Sequence, residues 1–298
     1  MRRRWLAGLV GLAIVTVGTL VARVVVFPRP LSIEVAGTIV NLRARIAVAG
    51  LVMGAGFGLA AVGAQARARE IRIDATLAGP AWGALPGLLL PVPVAGQAIA
   101  CLVGAGLVAW LTRRSAGLSA TLTRGVAVAG AVVGLAALGL FVGPGLTPTT
   151  ATAFLHASLG GALTQATWLR TAIGGALVLG ALGLAWARWR QLALARAGLD
   201  EEASAAALVT VLASAGAVLV AGVVAGLGLI ATAIARPIVG EDPRLAAPGG
   251  LAAGAGVGLA LDGIGQALAW PGELPVGVLT LIVASLLLAR EVVPADPR

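Results

Sequence analysis

From Ala203 to Ala235 the chain runs for 33 residues without an ionisable side chain. One membrane helix needs about 20 apolar residues, and two helices with a turn need more than about 40. The run falls between these lengths. It therefore reads as one helix to about Gly222, a turn in the glycine cluster at 222–228, and a shorter helix ending at Arg236. Within hydrocarbon every backbone amide must find an internal partner, so runs of this kind are helices. The pattern recurs along the chain. Only 11% of its 298 residues are charged, against roughly a quarter in soluble domains, and they fall in short gaps between apolar runs. The expected fold is all-α: a polytopic membrane helical bundle that forms a single domain over residues 1–298.

About ten spans can be drawn. Met-Arg-Arg-Arg precedes a first helix from Trp5 to Phe27, and a polar, proline-punctuated outer loop extends to Asn41. Ile46–Ala64 is the second helix, followed by an inner loop holding Arg67, Arg69, Glu70, Arg72 and Asp74. The stretch 75–92 contains Pro80, Pro86 and Pro91, which a straight helix does not tolerate, so a short or broken helix is expected. Val94–Leu111 and Val126–Val142 follow. Residues 143–168 read as an outer loop with a short interfacial helix near Phe154–Leu163. Thr171–Ala187 is the next span, and 188–202 is the longest charged inner loop. After the uncharged run, Pro248 releases an apolar helix from Leu251 to Leu268. Val276–Leu288 closes a helical hairpin with a polar tip, Trp270-Pro-Gly-Glu-Leu-Pro275.

Ten spans place both termini on one side, and the arginines test this. All 21 basic residues are arginine, and 16 of them fall on the side assigned to the cytoplasm, which is the bias that membrane topology follows. Arg23, Arg29, Arg43, Arg45 and Arg170 remain outside. Trp5, Trp110, Trp168, Trp186, Trp189 and Trp270 lie near expected helix ends, as an interfacial belt requires.

Composition excludes several chemistries. A Walker A phosphate loop needs a lysine, and the chain has none. His156 has no second histidine and Cys101 no second cysteine, so neither a protein metal site nor an intrachain disulfide is expected, and no cofactor is assigned. The net charge of +9 is not a nucleic-acid signal, because the arginines interrupt apolar runs rather than forming a stripe with aromatics. No run of intramembrane acids supplies a proton or cation ladder, and no paired carboxylates or Ser/His arrangement marks an intramembrane enzyme.

Two stripes of small residues stand out. Gly50, Gly54 and Gly58 recur every fourth residue in the second span; Gly254, Gly258, Asp262 and Gln266 do so in the ninth. That spacing puts each set on one helix face, where missing side chains let a neighbouring helix approach closely. Asp262 is expected to face the bundle or outer water, since a carboxylate is costly in lipid.

The late hairpin resembles the C-terminal signature of FecCD-type permeases, the ten-helix membrane subunits of ABC importers for iron–siderophore complexes, haem and vitamin B12. Gly240, Asp242, Arg244, Pro248, Gly254, Ala255, Asp262, Glu273, Leu274, Pro275 and Gly277 follow the family pattern in order. Upstream, Arg43 and Arg45 precede the glycine-striped helix, and Arg69, Asp74, Leu77, Gly79, Gly83 and Ala84 keep the family register. Departures occur where the family has Asn-Pro-Leu-Ala (here 70–73), Pro-His (Thr232-Ala233), the turn histidine (Pro243) and a late arginine (Gln266).

The resemblance implies a bacterial inner-membrane permease working by ATP-driven alternating access, with ATP hydrolysis on a separate chain. It implies three partners: an ATP-binding subunit, an extracytoplasmic binding protein, and a second permease copy. Arg43, Arg45 and Gln266 become the candidates for docking the binding protein. Arg196, Asp200, Glu201, Glu241, Asp242 and Arg244 become the candidates for coupling to the ATPase. The glycine stripes and Asp262 belong to helix packing or the pathway. Two alternatives stand beside this: a structural half of a heterodimeric permease, and a membrane transporter of another class.

Overall fold

The computed structural model describes residues 33–113, 118–142, 152, 154, 156–199, 203–240, 242–268 and 274–292. Among these there are ten α-helices and no strand. They are α1 (Ile33–Ala68), α2 (Pro80–Leu89), α3 (Val94–Leu111), α4 (Leu118–Val142), α5 (Trp168–Ala187), α6 (Trp189–Ala197), α7 (Ser204–Ala221), α8 (Leu227–Val239), α9 (Pro243–Leu268) and α10 (Val276–Val292). A 3-10 turn, Gly161–Gln165, precedes α5. The expected first span, 5–27, lies outside the described residues.

Among the described residues five helices are long and apolar enough to cross a membrane: 40–68 of α1, α3, α5, α7 and 244–268 of α9. Two of them form the centre. The apolar windows of α1 and α7 are each 78% buried, whereas those of α3 and α5 are 33% and 28% buried and turn one side outward. The exposed side of α3 carries Ile99, Val103, Leu107 and Trp110; that of α5 carries Leu169, Leu179 and Trp186. Apolar side chains facing outward suit a lipid surround, in which a helix need not hide them.

The uncharged run divides as its length requires. α7 ends at Ala221, residues 222–226 turn with Gly222 and Gly226 both at φ +81°, and α8 follows for 13 residues. α8 continues through Pro237 to Val239, past the expected end at Arg236. The proline-rich stretch gives the short helix expected: α2 has 10 residues, with Pro80 in its first turn, where a missing N–H is harmless.

Three boundaries differ from the sequence reading. α1 begins at Ile33, so most of the expected outer loop at 27–41 is helical. The last prolines before it are Pro28 and Pro30, and the polar residues beyond them do not break a helix. α4 begins at Leu118, which places Arg124 inside it. α9 begins at Pro243, so Pro248 lies within a helix that Asp242 opens; the Asp242 carboxylate accepts from Arg244 N at 2.9 Å. The segment around 154–163 turns Phe154, Ala157 and Leu163 inward, while Thr152 and His156 are exposed. It is pinned by backbone bonds, Val223 N to Ala157 O at 2.7 Å and Gly277 N to Leu159 O at 2.9 Å.

Candidate functional site

The two glycine stripes meet each other. A Cβ on Gly54 would stand 2.1 Å from the Gly254 carbonyl oxygen, and one on Gly58 would stand 2.1 Å from that of Gly250. Gly258 in turn faces Gly50 and Gly54. Rising numbers on α1 therefore match falling numbers on α9, so the pair is antiparallel and its backbones touch. The sequence placed each stripe on a helix face; their mutual pairing, in preference to α9 with its hairpin neighbour α10, is a structural result.

This pairing sorts the candidate residues between two ends. Asp262 packs beside Gly50, with Oδ2 3.7 Å from the place of a Cβ there. It is only 8% exposed, facing the bundle as expected. With Gln266 and His156 it lines a cleft closed by Gly160, Leu274 and Pro275. Arg43 and Arg45 are half-buried on α1 at the matching level of the antiparallel pair. Nearby, Trp168 Nε1 donates to Asn41 Oδ1 at 3.3 Å. The docking candidates Arg43, Arg45 and Gln266 thus share one end of the bundle.

The other end collects most of the described arginines. Arg196 and Arg236 line a cleft with Gln65 and Thr232, between α1, α6, α8 and the start of α9. Gln65 Nε2 donates to Thr232 Oγ1 at 2.8 Å and to Ile71 O at 2.9 Å. The Arg244 guanidinium lies 3.9 Å from the centroid of the Trp189 ring. This cation–π contact fastens α6 to the head of α9. Trp189 stands at the start of α6, and Trp110, Trp168 and Trp186 are exposed near helix ends. Asp200, Glu201 and Glu241 lie outside the described residues.

Sequence reasoning passed over two polar clusters. Asp74, placed by the sequence in an inner loop and in the family register, is 1% exposed. Its carboxylate accepts from Thr76 N at 3.0 Å, Thr76 Oγ1 at 2.6 Å, Leu77 N at 2.9 Å and Gly226 N at 3.1 Å. It thereby joins the loop before α2 to the turn before α8. Asp-x-Thr followed by Gly-Pro was a legible turn signal, but nothing in the sequence showed the reach to Gly226. The second cluster ties α5, α3 and α2. Arg170 donates to Gln97 Oε1 through Nε at 3.2 Å and Nη2 at 2.9 Å, and Gln97 Nε2 donates to Leu90 O at 2.9 Å.

Among the described residues no group of His, Cys, Asp and Glu could hold a metal ion. Cys101 is buried. Among the described residues the arrangement is two polar ends joined by a glycine-packed helix pair.

No protein-family model matches the chain. The chain is similar to the hemin transport system permease protein HmuU of Yersinia pestis, 35% identical over 134 residues. The match is 41% of this chain, and the chain spans about two fifths (40%) of the curated relative's length. A solved metal-chelate type ABC transporter in an inward-facing conformation matches 95% of this chain and 97% of its own, with a TM-score of 0.77 and 19% identity. The chain therefore shares the fold of that transporter chain over nearly its whole length.

Proposed function

We propose that this chain is a transmembrane permease subunit of a binding-protein-dependent ABC importer for a metal chelate, of the haem, iron–siderophore or corrinoid class. The likeness to the hemin permease carries the reading, set within a fold shared over nearly the whole chain. The arginine-rich end lies in the cytoplasm of a bacterial cell, following the positive-inside bias. There α6, Arg196, Asp242 and Arg244 form the face toward a separate ATP-hydrolysing subunit. Arg43, Arg45 and Gln266 form the rim toward an extracytoplasmic binding protein, where charge sets encounter rate and orientation. The whole chain acts as one permease domain, beside a second permease copy. It is a transport component and not itself an enzyme.

The test is affinity purification of the tagged chain from detergent-solubilised native membranes, with every companion identified. The expected result is a nucleotide-binding ATPase together with an extracytoplasmic binding protein, and ATP-dependent uptake of haem or a siderophore after reconstitution. A chain that purifies alone, or an assembly that hydrolyses ATP without moving any chelate, overturns the reading.

A further inference from the structure

His156 is the only histidine of the chain. It is exposed, while Phe154 and Ala157 on either side of it turn inward. Its backbone is firmly held. Leu159 N donates to His156 O at 3.2 Å, Val223 N to Ala157 O at 2.7 Å and Gly277 N to Leu159 O at 2.9 Å. A Cβ at Gly222 or at Gly277 would strike the backbone of Ala157 or Leu159, so no side chain separates this segment from its neighbours. The α7–α8 turn and the head of α10 thus fix the backbone beneath an imidazole that stays accessible.

That imidazole shares its cleft with Asp262 and Gln266. The cleft measures about 30 Å³, room for about two waters, so no organic ligand enters it. Asp262 and Gln266 are hydrogen-bond acceptors. A histidine that ligates a metal through one ring nitrogen donates the N–H of the other to an acceptor of this kind, directly or through water.

One imidazole cannot hold a free metal ion, which takes three or four protein ligands. Among the described residues no such group exists. One imidazole does suffice for a metal that a chelator already holds with an axial position left over. The chelate classes divide on this point. A hexadentate siderophore surrounds its iron and leaves no position. Haem and corrinoids hold the metal in the plane of a macrocycle, and protein side chains fill the axial positions.

We infer that His156 is an axial ligand at the outer end of the bundle for a planar tetrapyrrole chelate. The inference rests on the permease reading above and narrows its cargo. On transfer from the binding protein, the imidazole nitrogen bonds to the metal as the metal's bond to water, or to the donor's axial ligand, breaks. No electron is exchanged. The macrocycle stays outside the cleft, on the exposed side of the ring.

The test is absorption spectroscopy of the purified full chain in detergent, titrated separately with ferric haemin, diaquocobinamide and a ferric trihydroxamate siderophore. The expected result is a saturable change to the imidazole-ligated spectrum with haemin or with the cobinamide, at one per chain, and none with the siderophore. Which tetrapyrrole responds identifies the cargo. His156→Gln should lose that spectrum and bind about tenfold more weakly or worse. Its Tm should match the native protein, because the side chain is exposed. Free imidazole should restore the spectrum in His156→Ala. The inference is overturned if neither tetrapyrrole gives an imidazole-ligated spectrum, or if His156→Gln gives the native one. An assembly that imports a ferric siderophore while the chain shows no such spectrum overturns this inference and leaves the permease reading standing.

Discussion

Alanine at Gly54 is the sharpest probe of this fold. The new Cβ would stand 2.1 Å from the Gly254 carbonyl oxygen and 2.8 Å from its carbonyl carbon. Neither atom belongs to a side chain that can rotate away. The helices must part by about 1 Å merely to reach a tight contact of 3.0–3.4 Å, and by more to reach an ordinary one, and every contact along the α1–α9 seam is loosened with it. Overpacking of this kind costs typically 1–3 kcal/mol, and a backbone-on-backbone clash belongs at the upper end, about 3 kcal/mol. Alanine's better helix propensity returns about 1 kcal/mol. The net loss is about 2 kcal/mol, a Tm decrease of about 3 °C for a chain of 298 residues.

Gly263→Ala is the control. It lies in the partner helix α9, but nothing stands within 4 Å of its Cβ position, so only the propensity gain remains. The two variants should move Tm in opposite directions in thermal unfolding followed by tryptophan fluorescence. Because one substitution already parts the helices, Gly54→Ala with Gly254→Ala should cost less than their sum. Equal Tm for Gly54→Ala and Gly263→Ala would refute the close approach of α1 and α9.

Two further predictions concern single contacts. Asp74→Asn cannot accept from Gly226 N and from the Thr76–Leu77 side together, so it should cost about 2–3 kcal/mol and speed hydrogen exchange at the Gly226 amide; unchanged exchange would show that the carboxylate does not hold the α7–α8 turn. Trp189→Ala removes the stack under Arg244 and should cost only about 0.5–1 kcal/mol, yet limited proteolysis within 188–199 should accelerate; an unchanged cleavage rate would show that α6 is held by other means.

The sequence by itself determined the fold class. Uncharged runs of membrane-crossing length admit only helices, because lipid supplies no hydrogen-bond partner for an open backbone. Helix α3 came out at the expected Val94–Leu111, and the short α2 followed from Pro80 and Pro86. Boundaries set by polar residues were less legible. The stretch 33–41 mixes Glu34, Thr38 and Asn41 with apolar residues, and the head of α9 contains Pro248, yet neither breaks its helix.

The candidate residues were also legible as types but not as partners. Glycine spacing marked a face on α1 and another on α9, and only the fold showed that each faces the other. The same holds for Asp74 and Gly226, which lie 152 positions apart, and for Arg170 and Gln97, 73 apart. Local propensity and periodicity act over a few turns, so they fix what each segment is and which side it turns inward. Which inward faces meet is decided by close packing among distant segments: backbone contact where side chains are missing, and hydrogen bonds where buried polar groups must be satisfied.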